Sequence, residues 1–174
     1  LFVNQGGGVF ASLASGAGVA GEGRSRGAVW ADFDNDGDLD LYVVRAGQAD
    51  FYYRNDIDIG RFTELADSFQ VSSPEEDSRG VALADYDGDG ALDIFVAVQG
   101  GPNRLYRNQE ANGNWLTIRP STTMSSPDAI CTRFEIAFGD GRRAIREITG
   151  GSSYLSQDAL TASFGVDNVG TIDT

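Results

Sequence analysis

The sequence predicts an all-β protein: two four-stranded antiparallel units, each carrying an aspartate-rich loop, followed by a small C-terminal β domain. Three observations carry that expectation. The segments Asp32-Phe33-Asp34-Asn35-Asp36-Gly37-Asp38-Leu39-Asp40 and Asp85-Tyr86-Asp87-Gly88-Asp89-Gly90-Ala91-Leu92-Asp93 repeat the pattern D-x-D-x-D-G-x-L-D at a spacing of 53 residues. Short runs rich in β-branched and aromatic residues flank both, Ala28-Val29-Trp30-Ala31 with Leu41-Tyr42-Val43-Val44, and Val81-Ala82-Leu83-Ala84 with Ile94-Phe95-Val96-Ala97; bounded by Gly and Asp, such runs read as strands. Finally, Leu1-Phe2-Val3-Asn4, Tyr52-Tyr53-Arg54-Asn55 and Leu105-Tyr106-Arg107-Asn108 line up with their asparagines 51 and 53 residues apart.

Taken in order, each unit reads as strand, Asn/Gly turn, strand, long variable loop, strand, aspartate loop, strand. Gly8-Val9-Phe10 and Gly60-Arg61-Phe62 mark the second strand of the first two copies. Four short strands in a unit of about fifty residues suit the blade of a β-propeller. The units are set at about 1–53 and 54–110. Glu110-Ala111-Asn112-Gly113-Asn114 then reads as a polar hinge before Trp115-Leu116-Thr117-Ile118. Beyond it, Arg133 to Phe138 and Arg143 to Ile148 flank Gly139-Asp140-Gly141-Arg142, a hairpin signal with one buried and one wet face. Phe2, Tyr53 and Tyr106 recur in register and are expected in the core; Trp30 and Trp115 are expected to pack rather than stack on a sugar.

The loop chemistry points to calcium, which takes six to eight oxygens from carboxylates, carbonyls and water. Asp32, Asp34, Asp36 and Asp40 would supply carboxylates and Asp38 its carbonyl; the equivalents are Asp85, Asp87, Asp89, Asp93 and the carbonyl of Ala91. Because Asp38 aligns with Ala91, its side chain is expected to be dispensable. Gly37 and Gly90 fall where the chain must turn sharply. An EF-hand would end in a bidentate Glu at position twelve between helices, but Val43 and Val96 stand there and the flanks are strands. Leu39 and Leu92 read as apolar pegs. Asp and Gly are also ordinary turn residues needing no metal, but four carboxylates converging without a cation would repel one another, and here the pattern occurs twice. Two calcium sites are expected.

The N-x-L-Y-x-N, G-x-F and D-x-D-x-D-G-x-x-D elements resemble FG-GAP/VCBS repeats, as in integrin α-chain propellers and many bacterial surface proteins, over roughly residues 1 to 110. The resemblance implies calcium at the two aspartate loops. Closed propellers use about four to eight blades, so two imply either a piece of a larger propeller or completion by neighbouring copies. Asn114-Trp115-Leu116, Arg146-Glu147, Gly150 to Gln157 and Phe164-Gly165 resemble an ASPIC/UnbV domain, which commonly follows such repeats in secreted proteins. Residues 111–174 are thus expected to be a truncated ASPIC/UnbV-like domain, with a further strand beyond Asp173-Thr174. A start at Leu1 in mid-strand, without Met, suggests a segment of a longer polypeptide.

Composition narrows the function. The 174 residues are 41% hydrophobic, enough for a core, and carry a net charge of −13 from 13 basic and 26 acidic residues. That charge repels phosphate backbones, so nucleic-acid binding is not expected, and no apolar stretch approaches the ~20 residues of a membrane span. All 13 basic residues are Arg, with no Lys or His, which removes histidine triads, histidine zinc sites, Schiff-base chemistry and the Walker phosphate loop. Cys131 is single and is expected to be a small buried residue. No N-x-S/T sequon occurs; Pro120 to Pro127 is a candidate for O-glycans.

The leading expectation is a non-catalytic, calcium-stabilised, extracellular or cell-surface module for adhesion or assembly, self-associating through open sheet edges into a fibre or surface layer. A glycosidase or lyase using two carboxylates is the first alternative, with Glu75, Glu76 and Asp77 as its candidates. Ligand recognition, of protein or glycan, is the other, through the variable loops Ser12 to Arg26 and Phe69 to Arg79.

Overall fold

A computed structural model of the chain describes residues 1–56, 60–73, 76–109, 111–123, 128–139, 141–167 and 172–173. It is all-β apart from one helical turn. The elements are β1 (Phe2–Gly6), β2 (Val9–Ser12), α1 (Ala14–Ala17), β3 (Ser25–Ala31), β4 (Asp40–Arg45), β5 (Phe51–Asp56), β6 (Arg61–Glu64), β7 (Asp77–Ala84), β8 (Asp93–Gln99), β9 (Arg104–Tyr106), β10 (Asn114–Ile118), β11 (Arg133–Phe138), β12 (Arg143–Glu147), β13 (Ala162–Asp167) and β14 (Ile172–Asp173). Antiparallel pairing makes five sheets: β1-β2, β3-β4-β5-β6, β7-β8-β9, β10-β13 and β12-β11-β14.

The repeat is visible in the ladders. Both aspartate loops join the first two strands of a sheet, and the last rungs are Ala31 with Asp40 and Ala84 with Asp93. Each ladder also slips once near its far end, between Ser25 and Gly27 and between Ser78 and Gly80. The sheets are out of phase with the sequence period, because β5 and β6 complete the sheet begun by β3 and β4, while β1 and β2, among the described residues, pair only with each other. One sheet has four strands, but they are β3–β6 and not the β1–β4 that the expected first unit would join. The other has three among the described residues, because the chain leaves β9 and next enters the ladder of β10 with β13.

The two larger sheets share one core, but they do not offer it equivalent faces. β3–β6 contribute Val29, Ala31, Tyr42, Val44 and Tyr52; β7–β9 contribute Val81, Leu83, Ile94, Val96 and the partly buried Tyr106. With Asp32 aligned on Asp85, Leu83 corresponds to Trp30 and Tyr42 to Phe95. Leu83 and Tyr42 are buried, whereas Trp30 and Phe95 are 46% and 41% exposed. Since side chains alternate across a strand, one sheet packs through the face that its counterpart turns outward. A stack built this way runs head to tail and has no two-fold symmetry.

A second core, of Ile136, Phe138, Ala144, Ile148, Ala162, Phe164 and Val166, belongs to the C-terminal strands. The expected hairpin is present as β11 and β12, with Gly141 at φ 90 in its turn; Asp140 lies outside the described residues, as do Glu110 of the hinge and positions 124–127 of the O-glycan segment. Two expectations of burial are corrected. Phe2 is 70% exposed on a hairpin, β1–β2, that pairs with no further strand among the described residues, while Tyr53 is buried and Tyr106 half-buried. Cys131 is exposed: it sits at φ 73 in the turn ahead of β11, where Thr132 donates back to the Ala129 carbonyl at 3.0 Å. Trp30 and Trp115 are both half-exposed.

Candidate metal centre

Each aspartate loop gathers three carboxylates. Oxygens of Asp32, Asp34 and Asp36 lie within 4.8 Å of one another, and those of Asp85, Asp87 and Asp89 do the same. The turns arise in the same way. The first residue accepts from the glycine five positions on, Gly37 N to Asp32 Oδ2 at 3.1 Å and Gly90 N to Asp85 Oδ2 at 3.0 Å. The fifth accepts from the residue two further on, Asp38 N to Asp36 Oδ1 and Ala91 N to Asp89 Oδ1, both at 3.0 Å. These local bonds curl the backbone so that alternate side chains converge.

Asp40 and Asp93, also expected as ligands, stand outside the two clusters of three. They fasten each loop to the third strand of its sheet. Asp40 Oδ1 accepts from Asn55 N at 2.8 Å and its Oδ2 from Phe33 N at 3.1 Å and Tyr52 Oη at 3.3 Å. Asp93 repeats the arrangement with Asn108 N at 2.8 Å and Tyr86 N at 3.0 Å. An ionised carboxylate has about four acceptor positions, so these bonds leave capacity on both groups. Both bonds use the backbone N–H at the recurring asparagine position, a donor that any residue but proline would offer.

The donor set fits a hard cation. Asp32 is 3% exposed, and Asp32 Oδ1 and Asp34 Oδ1 are buried without a hydrogen-bond partner. Burial, then the charges of Asp36 and Asp34, push the Asp32 carboxyl up to about 6. Burial and then Asp36 raise Asp34; burial raises Asp93 and lifts Asp40 to about 8. Buried carboxylates so crowded are costly as bare anions, and a divalent ion reverses that cost. The second loop is wetter. There the Ala91 N–H holds Asp89 below the usual carboxylate range, and Arg107 pairs with Asp87 at 2.6 Å and Asp89 at 3.2 Å.

The loops are tied to each other and to the C-terminal strands by residues that sequence reasoning missed. Asn108 Nδ2 donates to the Phe33 carbonyl at 2.7 Å and the Leu92 carbonyl at 3.3 Å, and Asn35 Nδ2 reaches the Gly90 carbonyl at 3.4 Å. From β13, Gly165 N donates to Asp32 Oδ2 at 3.0 Å and Asp167 N to the Asn35 carbonyl at 3.1 Å. Asn112 N donates to the Asp34 carbonyl at 3.2 Å. The only signal for any of these was the repeated Asn at 55 and 108.

Of the acids considered for catalysis, Glu76 pairs with Arg104 and Asp77 with Arg79, each at 2.6 Å, and Glu75 lies outside the described residues. No helix among the described residues is long and apolar enough to cross a membrane.

A sequence model of the FG-GAP-like repeat matches residues 1–43 and 32–96. Cartilage acidic protein 1 of Xenopus tropicalis is 30% identical over 166 residues, covering 81% of this chain and 23% of that protein. The mouse and human proteins of the same name are each 33% identical over 101 residues, or 58% of this chain, and are covered to 16% and 15%. The chain thus spans less than a quarter of the length of these relatives.

Proposed function

The chain belongs to the FG-GAP-like repeat family, and from that premise we propose that it is a non-catalytic, calcium-binding extracellular module for adhesion or structural assembly. One observation carries this: two equivalent loops each converge three carboxylates, and the better buried one holds two oxygens with no hydrogen-bond donor. Calcium matches an all-oxygen, carboxylate-rich set in a tight loop, and it is abundant outside cells, where modules of weak affinity suffice. Asp32, Asp34, Asp36 and Asp85, Asp87, Asp89 are its principal ligands. Asp40, Asp93 and the carbonyls of Asp38 and Ala91 complete the two sets.

The sheets β3–β6 and β7–β9 act as propeller-type blades, a role favoured by their head-to-tail faces. Strands β10–β14 serve as an ASPIC/UnbV-like domain seated on the first loop. Association with other chains, its own copies included, proceeds through open sheet edges and the outward faces carrying Trp30 and Phe95. The test is a chelator titration that follows melting temperature and particle length together. A fall in both, restored by calcium, is expected; unchanged values would sink the idea.

A further inference from the structure

Between the two larger sheets lies a cavity of about 450 Å³ that borders both aspartate loops: Phe33 and Asp34 of the first and Leu92 of the second line it, and Arg107 on its wall pairs with Asp87 and Asp89. We propose that this cavity binds a short saccharide bearing a carboxylate, one or two sugar rings in size. The volume falls within the range of small-ligand sites, about 300 to 1,000 Å³.

The floor is apolar. Phe33, Tyr52 and Phe69 form a run of edge-to-face contacts with ring centroids 5.6 Å apart at each step. Phe33 and Tyr52 belong to the buried core, so the ring left for the C–H face of a pyranose is that of the partly buried Phe69. Around it the wall is furnished with amides and a hydroxyl, among them Gln70, Gln109 and Ser68, which suit the paired donors and acceptors of sugar hydroxyls. Gln70 is held at φ 57, in the left-handed region where a side chain is disfavoured. An amide thus stands at the cavity where glycine would meet the turn with less strain, and strained residues gather at ligand sites.

Charge then selects among sugars. Arg54 and Arg107 occupy equivalent positions of the two repeats, and both line the cavity. Their present partners, Asp56 at 3.1 Å from Arg54 and Asp87 at 2.6 Å from Arg107, form partly exposed ion pairs, which contribute little. A carboxylate brought into the cavity can engage a guanidinium in two parallel hydrogen bonds away from bulk water, a stronger arrangement. The net charge of −13 works against a polyanion and leaves a saccharide of one or two rings, with one carboxylate on each, as the better fit. Part of the second variable loop, Phe69 to Val71, closes one side; the sequence offered this loop under its ligand-recognition alternative.

The carboxylate contact is tested at Arg54, whose ion-pair partner Asp56 lies outside both aspartate clusters, so the two ideas can fail separately. Calorimetric titration of the calcium-loaded chain with digalacturonate, and with lactose as the neutral disaccharide, tests it, calcium binding being measured beforehand on the same sample. Digalacturonate should bind about tenfold more tightly than lactose, and Arg54→Gln should weaken it by about tenfold without lowering the melting temperature. Arg133→Gln, on the C-terminal sheet, should leave it unchanged. Equal affinity for the two sugars, no heat with digalacturonate at millimolar concentration, unaltered binding in Arg54→Gln, or an equal loss in Arg133→Gln would each overturn the assignment. A chain that takes up no calcium yet binds digalacturonate through Arg54 would overturn only the metal reading.

Discussion

Trp115 and Gly165 face each other across the β10–β13 ladder, and each closes on a different aspartate loop. Gly165 donates its N–H to Asp32 Oδ2 at 3.0 Å, while the Trp115 indole lies against Gly90 so closely that a β-carbon there would collide with the ring. One rung of the C-terminal sheet therefore touches both loops. Any side chain at Gly165 would strike Asp32 and the backbone of Asn35. We expect Gly165→Ala to lower stability by about 2 kcal/mol through overpacking, and Gly90→Ala to add the strain of its φ of 90 to a collision with Trp115. Urea unfolding followed by near-ultraviolet circular dichroism should show both; wild-type midpoints would refute the contact.

Metal should stabilise the two loops unequally. The first is buried and shares Asp32 with β13, whereas Asp87 and Asp89 are open enough to pair with Arg107. At calcium a hundredfold above its dissociation constant, a single site adds about 2.7 kcal/mol. Asp32→Asn should cost more of the calcium-dependent rise in melting temperature than Asp85→Asn, and it alone should also loosen β13. Hydrogen exchange at Gly165 and Asp167 distinguishes the two variants. Equal losses with unchanged exchange would contradict the asymmetry.

Much of this site could be read from sequence, because it is local. Alternating Asp with Gly at the sixth position sets the curl of the loop within nine residues, and apolar runs on either side specify the hairpin. What escaped depends on chain segments far apart. The bond from Gly165 to Asp32 closes 133 residues, and nothing in either neighbourhood marks it. Phe2 shows the converse failure: it occupies a core position of the repeat, but the strands that would cover it are not supplied by this sheet. Asp50 was overlooked for a third reason, since a single Asp between strands looks like any turn residue.

Asp50 is nevertheless buried, accepting from Arg45 N at 2.8 Å, Ser78 Oγ at 3.0 Å and Tyr42 Oη at 3.3 Å, so it joins β4 to β7. Burial outweighs these bonds and lifts its carboxyl from 3.8 to about 6. A raised carboxyl favours the folded state while it is protonated. Its stabilisation is full below pH about 4 and is lost as the pH rises through 6, by about 3 kcal/mol. Asp50→Asn cannot ionise, so the difference in unfolding free energy between wild type and variant should change with pH from 4 to 7, the wild type losing ground. Measured at saturating calcium, a constant difference would show that Asp50 titrates normally.

The unequal faces of the two sheets give the last prediction. Phe95 and Leu105, exposed on β8 and β9, occupy the positions that Tyr42 and Tyr52 fill in the buried face of β3–β6. Trp30 on the opposite outer face corresponds to Leu83 inside. The internal interface thus already shows how such faces meet, and a head-to-tail contact of this kind does not close after two sheets. Phe95→Ser and Trp30→Ser should each reduce self-association, since each removes one half of the same contact, and the double variant should be little worse than either alone. Sedimentation velocity across a concentration series measures this, with melting temperature as the control for folding. Additive losses, or association indifferent to both changes, would place the contact elsewhere and leave the sheet edges as the remaining route.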